Sequence, residues 1–406
     1  MTNDWAVRAW AWIRSPASRW IWIPLLAVSA SRLIIALVAL VSLALLPPST
    51  NPPPYHLRGE ANPLVDVFGS RWDTGFYVSI AQEGYRYEGV PLPSVPFFPL
   101  LPLLMRLGAL VTGDVVTAGI LLSNLFLLAA AMALYRLVEG EFGQPVADRS
   151  VWYLLIFPMA FFGSAIYTES LFLLCSIGAF YAARRQRWGW AALLGIAAAS
   201  TRLVGVIMAP VLLAEWWMQR SAARRLRTDR PQQAGVGQWR GLAAAAVVPL
   251  GTLAYMVYLQ VTFGNPLAFA SATAAWDRVP RPLPELVGQL LQTPAGGWMQ
   301  AIASGAFPWN DWIDLLAVAV FLALGTVLLA QNRWGEGLFV VLGALIPLYS
   351  GLLMSQRRYM WVLFPAFILL ARWTEGRPWL ERIITLLFAA GLALSVALFA
   401  NGYWVA

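Results

Sequence analysis

The chain contains no lysine, one cysteine (Cys175) and one histidine (His56) among its 406 residues, and only 12% of its residues are charged. Each shortage closes off a class of function. A single cysteine excludes an internal disulfide framework and any cysteine-based metal site. A single histidine excludes a multi-histidine metal centre. So few charges cannot cover the surface of a soluble domain, where about a quarter of residues are charged. Disordered and fibrous chains need more charge or a different bias. What remains is a chain that is 59% apolar, with a mean hydropathy of +0.64, which is the composition of an integral membrane protein. All 28 cationic residues are arginine, and they outnumber the acids to give +8. A pI near 9.9 is also found in nucleic-acid-binding proteins, but arginine at the cytoplasmic ends of membrane helices accounts for it, so no nucleic-acid partner is expected. Chemistry in such a chain has to rest on carboxylates, arginine, tyrosine, tryptophan and the backbone.

Runs of about 20 apolar residues mark helices able to cross the hydrocarbon core. They fall at 20–46, 114–138, 150–166, 168–183, 188–201, 202–218, 240–263, 311–330, 336–353, 358–372 and 380–402, which predicts an all-α polytopic membrane protein with about eleven transmembrane helices. The first run has a basic flank (Arg8, Arg14, Arg19) and a Val28-Ser29-Ala30 triplet resembling a signal peptide. The run continues sixteen residues past Ala30, so a retained anchor with a cytoplasmic N-terminus is expected. The stretch 97–111 holds Pro99, Pro102 and Arg106, which suits an interfacial helix better than a crossing. That choice puts 18 arginines and 9 acids inside, against 9 arginines and 11 acids outside. The inside share includes Arg184, Arg185 and Arg187 and the run Arg220, Arg224, Arg225, Arg227 and Arg230. Read this way, residues 1–406 form one transmembrane domain. Its two long extracytoplasmic loops are 47–113, with interfacial helices, and 264–310.

Charges inside spans are costly and point to function. Arg32 lies mid-span. Glu169 and Arg202 fall at outer span ends, as do Arg357 and Arg358 with Tyr359 after them, and the first loop carries Asp66, Arg71, Trp72, Asp73, Glu83 and Glu88. These polar residues converge on one face. Quieter roles remain open for each: Glu169 and Arg202 pairing as structural glue, Arg357 or Arg358 anchoring a helix end, Arg32 pairing with a loop carboxylate. Asp73 also stands as N-cap of an amphipathic helix from Asp73 to Glu83 with Gly84 as its stop. Trp72, Tyr77, Tyr85 and Trp276 offer faces to a sugar or isoprenoid, or simply pack. His56 is expected to be solvated.

The run Arg71-Trp72-Asp73-Thr74-Gly75-Phe76-Tyr77-Val78-Ser79-Ile80-Ala81-Gln82-Glu83-Gly84-Tyr85 resembles the "WD…Y…IA..GY" signature of the PIG-V family, which comprises the second mannosyltransferase of GPI-anchor synthesis and its bacterial relatives. Pro96-Phe97-Phe98-Pro99, then Phe157-Pro158 through Tyr167-Thr168-Glu169-Ser170-Leu171-Phe172, then Thr201-Arg202 with Gly205, resemble further elements in the family's order. Phe263-Gly264-Asn265-Pro266 followed by Trp276 is similar to a loop of the bacterial members. A polar element that precedes the tryptophan in eukaryotic enzymes has no counterpart here.

The resemblance implies a GT-C type glycosyltransferase in a bacterial plasma membrane, its active site facing outside. It implies an inverting transfer of mannose from polyprenyl-phosphate-mannose to a hydroxyl of a glycolipid, glycan or protein. Asp73 is then the catalytic carboxylate. Trp72, Tyr77, Glu169, Arg32, Arg202, Arg357, Arg358 and Tyr359 are candidates for binding substrate and phosphate among the membrane lipids. No metal or other cofactor is expected if arginine neutralises the phosphate. The rival readings are a lipid or polyprenyl-sugar transporter or flippase, a structural subunit, or the same enzyme type using another sugar such as arabinose or glucose.

Overall fold

In the computed structural model, residues 15, 18–50, 62–225, 238–292, 297–304 and 307–405 are described, and among them there is no strand. His56, Arg8, Arg14, Arg227 and Arg230 lie outside the described residues. The chain opens with α1 (Arg19–Leu45), α2 (Pro63–Gly69), α3 (Thr74–Glu83), α4 (Leu100–Thr112), α5 (Val115–Phe142) and α6 (Gln144–Ile156). It continues through α7 (Glu169–Arg184), α8 (Trp188–Thr201), α9 (Met208–Arg225), α10 (Gln238–Val247), α11 (Leu250–Phe263) and α12 (Ala268–Ser271). The last group is α13 (Leu283–Leu291), α14 (Gly297–Ala303), α15 (Trp309–Ala330), α16 (Trp334–Leu348), α17 (Gln356–Trp361), α18 (Pro365–Trp373) and α19 (Pro378–Ala400).

The packing is that of a protein in lipid. Along α1 the buried positions include Val28, Ser31, Ala39 and Ser42, while Leu33, Leu37, Leu45 and Ile34 are exposed. Small residues face the neighbouring helices and large apolar ones face outward, the reverse of a water-soluble helix. Five described helical stretches are long and apolar enough to cross a membrane: α1, α5, α10 with α11, α15 and α19. The chain is therefore a multi-pass membrane protein. Pro249 lies between α10 and α11, where its missing N–H interrupts the helical hydrogen bonding.

Several expected crossings are interrupted. The 150–166 run stops being α-helical at Ile156, and residues 157–168 form an irregular segment around a 3₁₀ turn at Ala160–Gly163. Pro158 sits at this break. Irregular backbone in a membrane protein needs hydrogen-bond partners from the protein itself, and neighbouring segments supply several here. Arg32 Nη1 donates to the Ala160 carbonyl at 3.0 Å and Ser31 Oγ to that of Leu155 at 2.8 Å. Trp361 Nε1 donates to Leu154 O at 2.8 Å, and the Ile166 N–H to Phe68 O at 3.1 Å. The 202–218 run likewise begins as a 3₁₀ turn before α9, and 358–372 divides into α17 and α18 ahead of Pro365.

Charged clusters sit at the two ends of α7, whose 16 residues span about 24 Å. At its C-terminus Arg184 reaches Glu141 at 2.6 Å, Glu215 at 3.3 Å and Glu336 at 2.6 Å, and Arg333 joins Glu141 and Glu336. Thus Arg184, one of the arginines expected on the cytoplasmic side, ties α5, α7, α9 and α16 together. The N-terminus of α7 opens onto the cavity described next.

Short helices hold that end in place. Arg106 of α4 donates from Nε to the Ala81 carbonyl at 2.7 Å and so closes the C-terminus of α3, where a cation is favoured. Asp114 caps α5, its Oδ2 accepting from the Thr117 N–H at 2.6 Å. Asp114→Ala is expected to cost about 1 kcal/mol, read as a small drop in melting temperature of the detergent-solubilised chain.

Candidate active site

Asp73 stands at the mouth of α3, but it does not cap the helix: its side chain makes no capping hydrogen bond. The turn before it explains why. Trp72 adopts φ +49°, a left-handed conformation that costs a bulky residue energy. The turn is held by Tyr167, whose hydroxyl accepts from the Asp73 N–H at 3.2 Å and donates to the Arg71 carbonyl at 3.4 Å. The Trp72 ring is buried against Phe399, with centroids 4.5 Å apart. The carboxylate of Asp73 thereby turns away from the helix and meets Arg358, Nη1 donating to Oδ2 at 2.9 Å. No described donor bonds Oδ1.

Arg358 is brought there by α17. The carboxylate of Asp314 on α15 accepts from the Arg357 backbone N–H at 2.7 Å and from Arg357 Nε at 2.9 Å, and Asn310 takes Nη2 at 2.9 Å. Consecutive helical side chains point about 100° apart, so with Arg357 bound to α15 the next guanidinium faces the other way. Its Nε lies 3.3 Å from Glu169 Oε1, and its carbon sits 5.2–5.4 Å from the rings of Phe162, Tyr167 and Tyr359. Glu169, 1% exposed, also accepts from Arg202 Nη1 at 3.0 Å. Its second oxygen is buried with no partner among the described residues.

These groups line a cavity of about 920 Å³, near the upper end for small-molecule pockets. Trp72, Asp73, Tyr77, Glu169, Arg202, Arg358 and Tyr359 all contribute to its wall. Phe97, Phe98, Phe269, Trp276, Pro347 and Trp404 supply apolar surface. Burial keeps the Tyr77 phenol protonated, well above its ordinary value, so it is a hydrogen-bond donor there and not a base. Among the described residues, Asp73 and Glu169 are the only carboxylates of the wall, each engaged by arginine, and no three metal-ligating side chains gather.

Two expected site residues lie elsewhere. Arg357 is outside the cavity because Asp314 and Asn310 occupy its guanidinium. Arg32 is outside it too: its Nη1 serves Ala160 O and Ser164 Oγ, its Nη2 serves Ser31, and no described carboxylate pairs with it. Among the wall residues not expected as site residues are Arg278, Tyr167 and Thr168. Tyr167 and Thr168 stand directly before Glu169 and were within reach of the pattern. Arg278, in a loop beside Asp277 and Arg281, carries no local signal.

Fold and cavity together define a multi-pass helical membrane protein with a charged site at one end of its bundle. The chain belongs to the mannosyltransferase (PIG-V) family, whose model matches residues 18–227. It is similar to mouse (Mus musculus) GPI alpha-1,6-mannosyltransferase 2, 27% identical over 281 residues, which covers 64% of this chain and 52% of the mouse protein. The chain thus matches about half the length of that relative. Among solved structures it is similar to the archaeal oligosaccharyltransferase AglB from Archaeoglobus fulgidus in complex with an inhibitory peptide and a dolichol-phosphate, at 12% identity and a TM-score of 0.40 over 92% of this chain and 56% of that one. The apo form of the Archaeoglobus fulgidus oligosaccharyltransferase gives 14% identity and a TM-score of 0.39, over 92% and 56%.

Proposed function

We propose that the chain is an inverting GT-C type glycosyltransferase that moves a mannosyl unit from polyprenyl-phosphate-mannose to an acceptor hydroxyl. The observation that carries this reading is one cavity holding the Asp73 carboxylate beside the guanidinium groups of Arg358 and Arg202. In the proposed step Asp73 accepts the proton of the attacking hydroxyl as its oxygen bonds the anomeric carbon. The bond from that carbon to the phosphate oxygen breaks on the opposite face, and the electron pair leaves with the polyprenyl phosphate. A base must lie within hydrogen-bond reach of the hydroxyl, and Asp73 Oδ1 is the carboxylate oxygen left open for that contact. Charge develops on the leaving phosphate, and fixed donors in a water-poor site stabilise it most. Arginine matches phosphate oxygens with its planar fork and stays charged, so no metal is required in this reading. The aromatic wall of Phe97, Phe98 and Trp276 suits a sugar face or an isoprenoid.

Topology follows the same proposal. About eleven crossings place the N-terminus and the Arg184 cluster in the cytoplasm. The cavity then faces outward beneath the loops 47–113 and 264–310, with α2, α3 and α4 at the interface. A glycolipid, glycan or protein hydroxyl is the acceptor.

The test is transfer of labelled mannose from synthetic polyprenyl-phosphate-mannose by the purified chain in liposomes supplied with lipid extract. Labelled product of inverted anomeric configuration is expected. Movement of the intact donor across the bilayer with no sugar transferred supports a flippase instead and overturns the enzyme reading.

A further inference from the structure

Among the described residues, the cavity wall holds three guanidinium groups, Arg202, Arg278 and Arg358, against two carboxylates, Asp73 and Glu169. The pairing among them is uneven. Arg358 lies against both Asp73 and Glu169, and Arg202 against Glu169. Arg278 has no carboxylate partner among the described residues. Its neighbour Asp277 turns to Arg281 at 3.4 Å, and Arg278 itself donates from Nη1 to the Ser350 hydroxyl at 3.0 Å. It stands 6.0 Å from the Tyr359 ring, whose other cationic neighbours are Arg202 at 5.0 Å and Arg358 at 5.3 Å. The site therefore carries one positive charge in excess, and that charge resides on Arg278. A half-buried cation with a neutral tether beside apolar walls gains most from an incoming anion, whereas the other two arginines would have to share with carboxylates they already hold.

The loop carrying Arg278 is fastened on three sides. Asn265 Nδ2 donates to the Tyr87 hydroxyl at 3.2 Å, and that hydroxyl also meets Ser271 Oγ at 3.2 Å. Phe269 packs with Phe98, Tyr255 and Leu259. On the far side Gly351, at φ +80°, lies so close that a Cβ there would stand 1.8 Å from the Val279 carbonyl oxygen. This contact leaves room only for glycine, and it fixes the residue next to Arg278.

We propose that Arg278 is the principal ligand of the donor's phosphoryl group, presented by a loop clamped between Tyr87 and Gly351, and that it selects for an anionic lipid headgroup. The proposal rests on the glycosyltransferase reading and adds to it a residue outside the matched family segment. The test uses the full chain purified in detergent, with a long-chain polyprenyl phosphate, the uncharged polyprenol and inorganic phosphate as separate titrants. Arg278→Gln is expected to weaken polyprenyl phosphate binding by about tenfold or more, and Arg278→Lys to restore part of the loss. Polyprenol binding stays the same in all three proteins. In turnover the donor KM rises while the acceptor KM does not. Gly351→Ala, which pushes the loop away without touching any charge, reproduces the binding loss. Displacement of the lipid by millimolar inorganic phosphate in the wild type, but not in Arg278→Gln, shows recognition of the headgroup alone. Equal polyprenyl phosphate affinity for wild type and Arg278→Gln overturns this proposal and leaves the enzyme reading standing. A wild-type chain that binds polyprenol and polyprenyl phosphate alike overturns both.

Discussion

Asp73→Asn is expected to reduce sugar transfer by about 10²- to 10⁴-fold, the contribution of a general base, while the chain still folds and still binds donor. The amide keeps the shape of the carboxylate and one acceptor for Arg358 Nη1, now 2.9 Å from Oδ2. Arg358 retains its 3.3 Å contact with Glu169, so its charge does not become orphaned. The loss of stability should stay within about 1–3 kcal/mol. Two other groups near the reacting centre are poor substitutes. Tyr77 is held protonated by burial. Glu169 sits 1% exposed beneath two arginines, which leaves it little access to an acceptor. Single-turnover rates with preloaded donor isolate the chemical step. A variant that transfers at the wild-type rate removes Asp73 from the role of base.

The part of this site that could be read in the sequence was the part encoded by contiguous residues. Trp72, Asp73 and Tyr77 share a single run, and α3 carries that run to the cavity. What the sequence could not show was that Asp73 would not cap its own helix. That depends on the left-handed turn at Trp72, held by a hydroxyl from Tyr167 nearly a hundred residues on. The choice between Arg357 and Arg358 was equally out of reach. It is made by Asp314 and Asn310 on α15, and adjacent arginines in an unplaced six-residue helix look alike in a string of letters. Arg32 stood out because a mid-span charge is conspicuous, yet its work is to satisfy the carbonyl of Ala160 in the broken segment. That break did have a signal in Pro158, as did the break before Pro365. The glutamates that bind Arg184 come from three other helices, so their convergence belongs to packing. Arg278 shows the same limit from the other direction: its charge matters only by comparison with partners that its four cavity companions take from one another.

Glu169→Ala is expected to be the most damaging change to the folded state near the cavity. The Glu169 carboxylate is the one described carboxylate that Arg202 has, and it shares Arg358 with Asp73. Arg202 is 12% exposed in its side chain, and removing one member of such a buried pair costs about 3–5 kcal/mol because the other charge is left without compensation. Glu169→Gln should cost less, since an amide oxygen can still accept from Arg202. The double variant Glu169→Gln with Arg202→Gln then separates structural glue from a role in binding. Removing both charges restores most of the melting temperature whichever role applies, because nothing is left uncompensated. If the pair only holds α7 to the start of α9, transfer recovers along with stability. Glu169 Oε2, buried with no partner among the described residues, and the place of both residues in the cavity wall argue for a second duty toward the bound sugar or its phosphate. On that view the double variant is stable but transfers slowly, with a raised donor KM. Recovery of the wild-type rate would reduce Glu169 and Arg202 to scaffolding and leave Asp73, Arg358 and Arg278 as the working groups of the cavity.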